Sequence, residues 1–208
     1  MRYYTRVLSK QEEFPSLEDL ADLLGSEYPN CKLAIEEGDP EEWESLLLST
    51  DDDVEIALIQ RNPVSEGSLG EEEIAEFLEE IEDCKPESGV EWLQNYMGEV
   101  KTIYAFQHLP GADSEEGSAA LHELRSFLWK RGNAIIQADM EGFTNEEGFH
   151  ILWQFSDSVS GAWNMGVLQD GTWHQFKMDL GDPDHREAFQ RGEVPSDLTS
   201  VQLSATED

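Results

Sequence analysis

The chain has 208 residues, of which 46 are acidic and 13 are basic, and its formal net charge is −33. Its 38% hydrophobic content and six tryptophans are enough to bury a core, which excludes a disordered acidic chain. A charge of this sign and size also argues against binding to nucleic acid or to an anionic membrane, because both carry negative charge.

The acidic excess is uneven along the sequence. Residues 1–100 carry 28 acids and 6 bases, whereas residues 101–208 carry 18 acids and 7 bases. Three causes fit this pattern: a basic protein partner, clustered carboxylates that bind divalent cations, or charge that serves only solubility.

Cysteine use and hydropathy predict a cytoplasmic protein. Cys31 and Cys84 lie far apart and lack the spacing of a metal site, which predicts free thiols in a reducing compartment. A disulfide between them stays open as an alternative. The sequence has no apolar run of signal-peptide length and none of about 18 residues that could span a membrane.

The N-terminal residues predict a strand, a helix and a second strand. Residues 2–9 have a β-type composition, and residues 31–36 form the next β-type run. Between them, Ser16-x-x-Asp19 resembles a capping box and predicts the start of an amphipathic helix.

A β-hairpin and two helices follow. Residues 43–49 and 54–61 predict the hairpin, whose tip holds the three carboxylates 51–53. The sequence from Ser68 predicts a capped helix over 70–83, with an apolar stripe on one face and glutamates on the other. Ser88-x-x-Glu91 predicts the cap of the second helix.

The C-terminal half begins with the same order of elements. Residues 101–109 predict a strand, 115–131 a helix that Gly132 ends, and 133–140 another strand. Residues 141–148 are interpreted as an acidic turn region.

The aromatic stretch 148–180 predicts a three-stranded antiparallel meander. In its first strand, Phe149, Ile151, Trp153 and Phe155 alternate with polar or smaller side chains, as a strand with one buried face requires. Asp170-Gly171 suits a type I′ turn between the second and third strands. We expect helix 115–131 to pack on one face of this meander.

Asp182 and Pro183 predict the N-cap and first residue of a last helix, which Gly192 ends. The fold class is therefore α+β, with antiparallel sheet and helices packed on one face. The matching order of elements in 2–61 and 101–178 suggests two β-α-β-β-β halves.

The predicted organisation is an acidic N-terminal half over 1–100, a C-terminal half over 101–192 and a partly flexible tail over 193–208. One compact domain overall is the alternative interpretation. Two helices, 70–83 and 89–99, would bridge the halves.

The first candidate site is an acidic surface on the N-terminal half. Its members are carboxylates on or beside the predicted hairpin and helix 70–83. They are Glu36, Glu37, Glu41, Glu42, Asp51, Asp52, Asp53, Glu72, Glu73, Glu76, Glu79 and Glu80.

The second candidate site is a groove beside the meander. Its members combine carboxylates, imidazoles and indoles, which can ligate metals or perform acid–base chemistry. They are Asp139, Glu141, His150, Trp153, Trp173 and His174.

No recognised catalytic or metal motif supports this groove. HxH, HExxH, CxxC, Gly-x-Ser-x-Gly, a Walker A loop and GxGxxG are all absent. We therefore predict no metal and no cofactor.

The leading functional hypothesis is a non-enzymatic binding or regulatory protein whose acidic surface engages a basic protein, as inhibitors or immunity proteins do. The first alternative is a metal-dependent or acid–base hydrolase that uses Asp139, Glu141, His150 and His174. The second is a structural or homo-oligomeric module.

Overall fold

A computed structural model describes residues 3–156 and 158–204 of the chain. These residues form an α+β fold with antiparallel sheets, which confirms the predicted fold class.

The elements alternate between helix and strand along much of the chain. The strands are β1 (Tyr4–Ser9), β2 (Cys31–Gly38), β3 (Trp43–Thr50), β4 (Glu55–Pro63), β5 (Thr102–His108), β6 (Ile135–Ala138), β7 (Gly142–Thr144), β8 (Ala162–Gln169), β9 (Thr172–Asp179) and β10 (Val201–Ser204). The helices are α1 (Leu17–Gly25), α2 (Leu69–Ile81), α3 (Glu87–Met97), α4 (Glu115–Arg131) and α5 (Pro183–Gln190).

The chain divides into two compact units, and each is assembled from two separate stretches of sequence. Unit 1 comprises Met1–Glu72 and Val100–Ala134, and unit 2 comprises Glu73–Glu99 and Ile135–Asp208. This division differs from the predicted boundary at residue 100, because β5 and α4 belong with the N-terminal strands.

The sheet of unit 1 is antiparallel, and its strands follow the order β2-β3-β4-β5-β1. One face of it forms the core. Leu46 pairs with Ile59, and Ile59 pairs with Phe106, and all three side chains are buried. Helix α4 contacts β1, β3 and β4, while α1 contacts β2 and α4. The two helices therefore cover this apolar face, as burial of a one-sided sheet requires.

Local signals in unit 1 are confirmed. The Ser16 hydroxyl accepts a hydrogen bond from the N–H of Asp19, and the Asp19 carboxylate accepts one from the N–H of Ser16, which completes the predicted capping box. Strands β3 and β4 form the predicted hairpin with the carboxylates of 51–53 in its turn.

The two helices after the hairpin begin differently from each other. The Ser68 hydroxyl accepts a hydrogen bond from the N–H of Glu71, as predicted for α2. The predicted cap of the next helix at Ser88 is wrong: α3 begins at Glu87, with Pro86 as an N-cap that makes no side-chain hydrogen bond.

In unit 2, β8 and β9 form the predicted hairpin. Asp170 and Gly171 have φ values of 49° and 74°, which suit a type I′ turn. Strand β10 pairs with the other edge of β9, so part of the predicted flexible tail is the third strand of this sheet. Residues 205–208 of that tail lie outside the described residues.

The predicted first strand of the meander is wrong. In this segment only His150 makes isolated bridges, to Thr144 and to Met165. Ile151 and Leu152 are adjacent in sequence and both have 0% exposure, which the two-residue period of a strand does not allow when one face is solvated. The N–H of Trp153 instead donates to the carbonyl of Lys85 at 2.7 Å.

Helix 115–131, which was expected to pack on the meander, is α4 of unit 1 and packs on the sheet of that unit. The hairpin of unit 2 is packed by α3 and α5. Trp92 of α3 makes an edge contact with Trp173 of β9 at 5.2 Å between ring centroids. Phe189 of α5 joins the apolar cluster on the other face, which also contains Met165 and Phe176.

Three further findings complete the fold. The region predicted as an acidic turn contains the short strand β7, which pairs with β6. Cys31 and Cys84 are both free. No helix among the described residues is long and apolar enough to cross a membrane.

Candidate functional site

The predicted acidic surface separates into three places. Glu36, Glu37, Glu41 and Glu42 lie at one end of the β2–β3 hairpin, and 51–53 lie in the β3–β4 turn at the other end. The remaining members lie on α2. A strand of eight residues such as β2 spans about 25 Å, so the two groups in unit 1 are separated by more than the screening length of about 10 Å at 0.1 M salt.

The two compact units do not show the charge difference seen between residues 1–100 and residues 101–208. Unit 1 carries 23 acids and 9 bases, a net of −14, whereas unit 2 carries 23 acids and 4 bases, a net of −19. The acidic bias of the first 100 residues is therefore not a property of one compact unit. Any local site has to be identified from individual carboxylates and their neighbours.

The β3–β4 turn is partly neutralised by a lysine. The Lys32 Nζ donates to Asp53 Oδ1 at 2.7 Å, and this hydrogen bond lowers the pKa of the Asp53 carboxyl and raises that of Lys32. Asp53 has a φ of 61°, in the left-handed region that Asp tolerates in turns. This end of the hairpin thus has its own cation.

The carboxylates at the opposite end of the hairpin differ in this respect. The structure shows no ion pair to Glu36, Glu37, Glu41 or Glu42 in the part of the chain that it describes, and all four are exposed. This group, here named the β2–β3 carboxylates, is the largest predicted cluster in unit 1 that makes no ion pair among the described residues.

The loop that carries these carboxylates is firmly held. Asp39 Oδ1 accepts the N–H groups of Glu41 and Glu42, both at 2.9 Å. Gly38 has a φ of 91°, and a Cβ at this position would lie 2.4 Å from the carbonyl oxygen of Glu42. The backbone therefore passes too close here for any other residue.

Trp43 anchors the same loop to the core. Its side chain has 0% exposure, and its Nε1 donates to the carbonyl oxygen of Pro15 at 2.8 Å. The Arg61 Nε donates to the carbonyl of Trp43 at 2.8 Å, and the guanidinium lies 3.8 Å from the ring centroid of Phe14. These contacts fix the chain beside the β2–β3 carboxylates.

Strand β2 is the edge of the sheet and its hydrogen-bonding pattern can be read from the register. The N–H of Asp51 donates to the carbonyl of Asn30 at 2.8 Å, one step before the pair Cys31–Thr50. Bonded and non-bonded pairs alternate in antiparallel sheet, so Cys31, Leu33 and Ile35 direct their N–H and C=O groups away from β3. Cys31 agrees with this, because its N–H donates to the carbonyl of Tyr28.

The outward groups of Leu33 and Ile35 remain available. No hydrogen bond from protein reaches their outward N–H and C=O groups within 3–156 and 158–204. Both side chains are half-buried on the face that α1 and α4 cover, while Lys32, Ala34 and Glu36 are exposed on the other face. Beside the β2–β3 carboxylates there is thus an open strand edge.

The second predicted site does not form a groove around His150. The His150 ring is 8% exposed and lies in edge contact with Phe155 at 5.2 Å and with Trp163 at 4.9 Å between centroids. Burial lowers the pKa of His150 to about 4, and its Nδ1 has no hydrogen-bond partner among the described residues. The residue is therefore a neutral part of an aromatic core at pH 7.

The other predicted members are dispersed within unit 2. Asp139 and Glu141 flank the β6–β7 turn, and both have polar or ionic interactions of their own. Trp173 is buried against α3, whereas His174 lies on the opposite face of β9 and pairs with Val167. Trp153 is half-buried beneath the Arg186 guanidinium, 5.3 Å from its centroid. Among the described residues, no group of three or more His, Cys, Asp or Glu could hold a metal ion.

One imidazole–carboxylate pair was missed by the sequence analysis. His185 Nε2 lies 3.2 Å from Asp197 Oδ1, beside a cavity of about 330 Å³ at the start of α5. The hydrogen bond from His185 lowers the pKa of the Asp197 carboxyl. The N-cap Asp182 predicts that His185 lies in the first turn of α5. Nothing in the sequence predicts that Asp197 contacts His185.

A second cavity, of about 380 Å³, lies between α4 and the end of β5 in unit 1. It is lined by His108, His122 and Arg125. Its basic groups already interact with one another and with their neighbours: Arg125 Nη2 lies 3.3 Å from His122 Nδ1, and His108 Nε2 lies 3.1 Å from the Thr5 hydroxyl. The Nε2 of His122 lies 3.3 Å from the hydroxyl of the buried Ser126, so both ring nitrogens of this histidine already have a neighbour.

The chain matches no protein-family model, and neither curated proteins nor solved structures gave a significant match. Its function has to be inferred from the geometry above.

Proposed function

We propose that this chain is a non-enzymatic, cytoplasmic binding protein whose β2–β3 carboxylates engage a basic protein. The observation that carries the proposal is that these four carboxylates make no ion pair among the described residues, in contrast to the β3–β4 turn, where Lys32 pairs with Asp53. Exposed like charges repel one another, and a basic partner relieves that repulsion while electrostatic attraction accelerates its association.

The fixed conformation of the loop supports the same proposal. Gly38, Asp39 and Trp43 hold the backbone through close packing and hydrogen bonds. A preorganised surface loses little conformational entropy on binding, so more of the interaction free energy appears as affinity. A charge that served only solubility would need no such support.

The test is affinity capture from native lysate with matched variants of the full chain. The first variant replaces the four β2–β3 carboxylates with glutamine. The control variant replaces four other exposed glutamates, Glu72, Glu76 and Glu79 of α2 and Glu82 just after it, and so removes the same charge elsewhere.

We expect the wild-type chain and the α2 variant to retain a basic protein at about 0.1 M salt and to release it near 1 M, because the screening length falls to about 3 Å. The variant lacking the β2–β3 carboxylates should not retain it. Equal capture by all three proteins, or capture of no basic protein, would refute the proposal.

A further inference from the structure

We infer that the basic partner binds as an extended segment that adds a strand to the open edge of β2. This inference rests on the proposed function and specifies its partner: a segment in which basic and apolar side chains alternate.

The backbone of β2 provides the hydrogen bonds for such an addition. The N–H and C=O groups of Leu33 and Ile35 point away from β3, and no group in the described part of the chain bonds to them there. They lie about 7 Å apart, which is the two-residue repeat of a strand. An added strand would satisfy these groups in the way that peptides extend exposed sheet edges.

The side chains of β2 define what the added strand must carry. Leu33 and Ile35 are half-buried on the face covered by α1, where Leu17 and Leu23 are also half-buried. Apolar side chains of the partner would extend this face and bury it further. On the opposite face, Ala34 and Glu36 are exposed, so every second residue of the partner would lie in solvent beside carboxylates.

Charge selects a basic segment at both ends of β2. Glu36 and the rest of the β2–β3 carboxylates lie at one end, and Asp51 and Asp52 lie at the other. The single base on this strand, Lys32, is already paired with Asp53 at 2.7 Å. A basic strand would therefore meet a net negative edge along its length.

The same features disfavour a second copy of this chain as the occupant. Charged side chains and bulges commonly protect edge strands from pairing, and β2 has exposed charges and register shifts between Ile35 and Gly38. A second copy of β2 would bring an edge with the same excess of carboxylates against this one. Repulsion between the two negative edges disfavours self-association, whereas a basic strand is complementary in charge.

The experiment uses the full chain and the synthetic peptide acetyl-Lys-Val-Lys-Val-Lys-Val-amide as the probe. Two further peptides carry backbone N-methyl groups, one on its valines and the other on its lysines. Charge and composition are otherwise equal, but N-methylation removes the N–H donors from one edge of the peptide only. Binding is measured by calorimetry, and amide hydrogen exchange of Leu33 and Ile35 is followed by NMR.

We expect the unmodified peptide to bind and to slow exchange at Leu33 and Ile35. N-methylation of the valines should reduce affinity about tenfold or more, since two backbone hydrogen bonds contribute about 1 kcal/mol each and 1.4 kcal/mol is tenfold. N-methylation of the lysines should leave affinity unchanged, because those N–H groups face away from β2 in an antiparallel pair. If N-methylation of the lysines reduced affinity and N-methylation of the valines did not, the peptide would be bound parallel to β2. That result would still support strand addition.

A protein variant gives an independent measurement. Leu33→Pro removes an N–H that β3 does not use, so β2 should keep its pairing while the peptide loses a hydrogen bond. If all peptides bind equally and exchange at Leu33 and Ile35 is unaltered, strand addition is wrong although the acidic surface still binds basic chains. If no peptide binds, the proposed partner segment is wrong, and the lysate capture above decides the proposed function separately.

Discussion

Strands β2 and β9 differ in how many of their edges are paired and in how deeply their side chains are buried. Strand β9 pairs on both edges, with β8 and β10, and its faces carry Trp173 and Phe176, which are 2% and 3% exposed. Among the described residues, strand β2 pairs on one edge only, with β3, and no large side chain on it is fully buried. Strand β9, which has the aromatic and histidine residues, is therefore less accessible than the acidic strand β2.

The contrast shows that the residues with the most versatile side chains are not the ones exposed to solvent. Aromatic and histidine side chains gather around β9 because they bury large areas and pack edge to face. The same packing removes His150 and Trp173 from solvent. The acidic strand β2 has little to bury, so its backbone and its carboxylates stay exposed. Interaction surfaces in this chain are therefore expected where the apolar pattern is weakest.

The largest effect should come from truncating the core side chain of β9. Trp173→Ala removes the indole that packs against Trp92, and such truncations cost about 3–5 kcal/mol. Its counterpart on the open strand, Ile35→Ala, should cost only about 1 kcal/mol, because that side chain is half-buried. Urea unfolding followed by far-UV circular dichroism compares the two, and similar losses would show that β2 is as tightly packed as β9.

A smaller effect should appear in the pH dependence of unit 2. The pKa of His150 falls from its usual 6.5 to about 4 in the folded chain because the ring is buried. The unfolded chain therefore takes up this proton first, and stability present above pH 6.5 is lost as pH falls through 4. The loss is at most about 3.5 kcal/mol, from about 1.4 kcal/mol per unit of pKa.

His150→Phe should remove this loss while keeping an aromatic ring between Phe155 and Trp163. The free energy of unfolding of wild type minus variant, measured from pH 8 to pH 4, should fall toward acid pH. Parallel curves for the two proteins would mean that His150 is not buried as a neutral ring.

The next largest effect on stability should come from a substitution in the β2–β3 loop, beside the open edge. Gly38→Ala places a Cβ 2.4 Å from the carbonyl oxygen of Glu42 at a φ of 91°, so both close contact and conformational strain act on it. Gly67→Ala is the matched control, because Gly67 has a φ of 74° but no atom within 4 Å of its Cβ. The first should cost about 2–3 kcal/mol and the second about 1 kcal/mol, measured by urea unfolding. Equal costs would mean that the loop gives way around the added methyl group.

Much of the secondary structure was predictable, because its signals are local. Capping at Ser16, the Asp170-Gly171 turn and the Asp182-Pro183 helix start each involve residues within one turn. The strand predicted at 149–156 failed because long-range contacts decide it: Trp153 bonds to Lys85, and Ile151 and Leu152 are buried together. The periodicity of apolar residues reports local structure and does not predict such long-range contacts.

The candidate site was predictable in part. Sequence identified the β2–β3 carboxylates, but it also grouped them with α2, although most of that helix belongs to the other unit. Strand order is a non-local property, so the sequence could not identify β2 as an edge. The directions of the Leu33 and Ile35 backbone groups depend on the register with β3, which only the folded chain specifies.

The smallest expected effect tests the one base on the open strand. Lys32→Gln removes the cation that pairs with Asp53, and both side chains are largely exposed, so the free energy of unfolding should hardly change. Affinity for the lysine–valine peptide should instead rise a few-fold, because β2 loses a repulsive charge and Asp53 becomes available. Lys130→Gln on α4 is the control, since it removes the same charge away from β2. Calorimetric titration at low salt compares the two variants: equal gains would indicate a response to net charge alone, whereas a gain confined to Lys32→Gln places the peptide on the β2 edge.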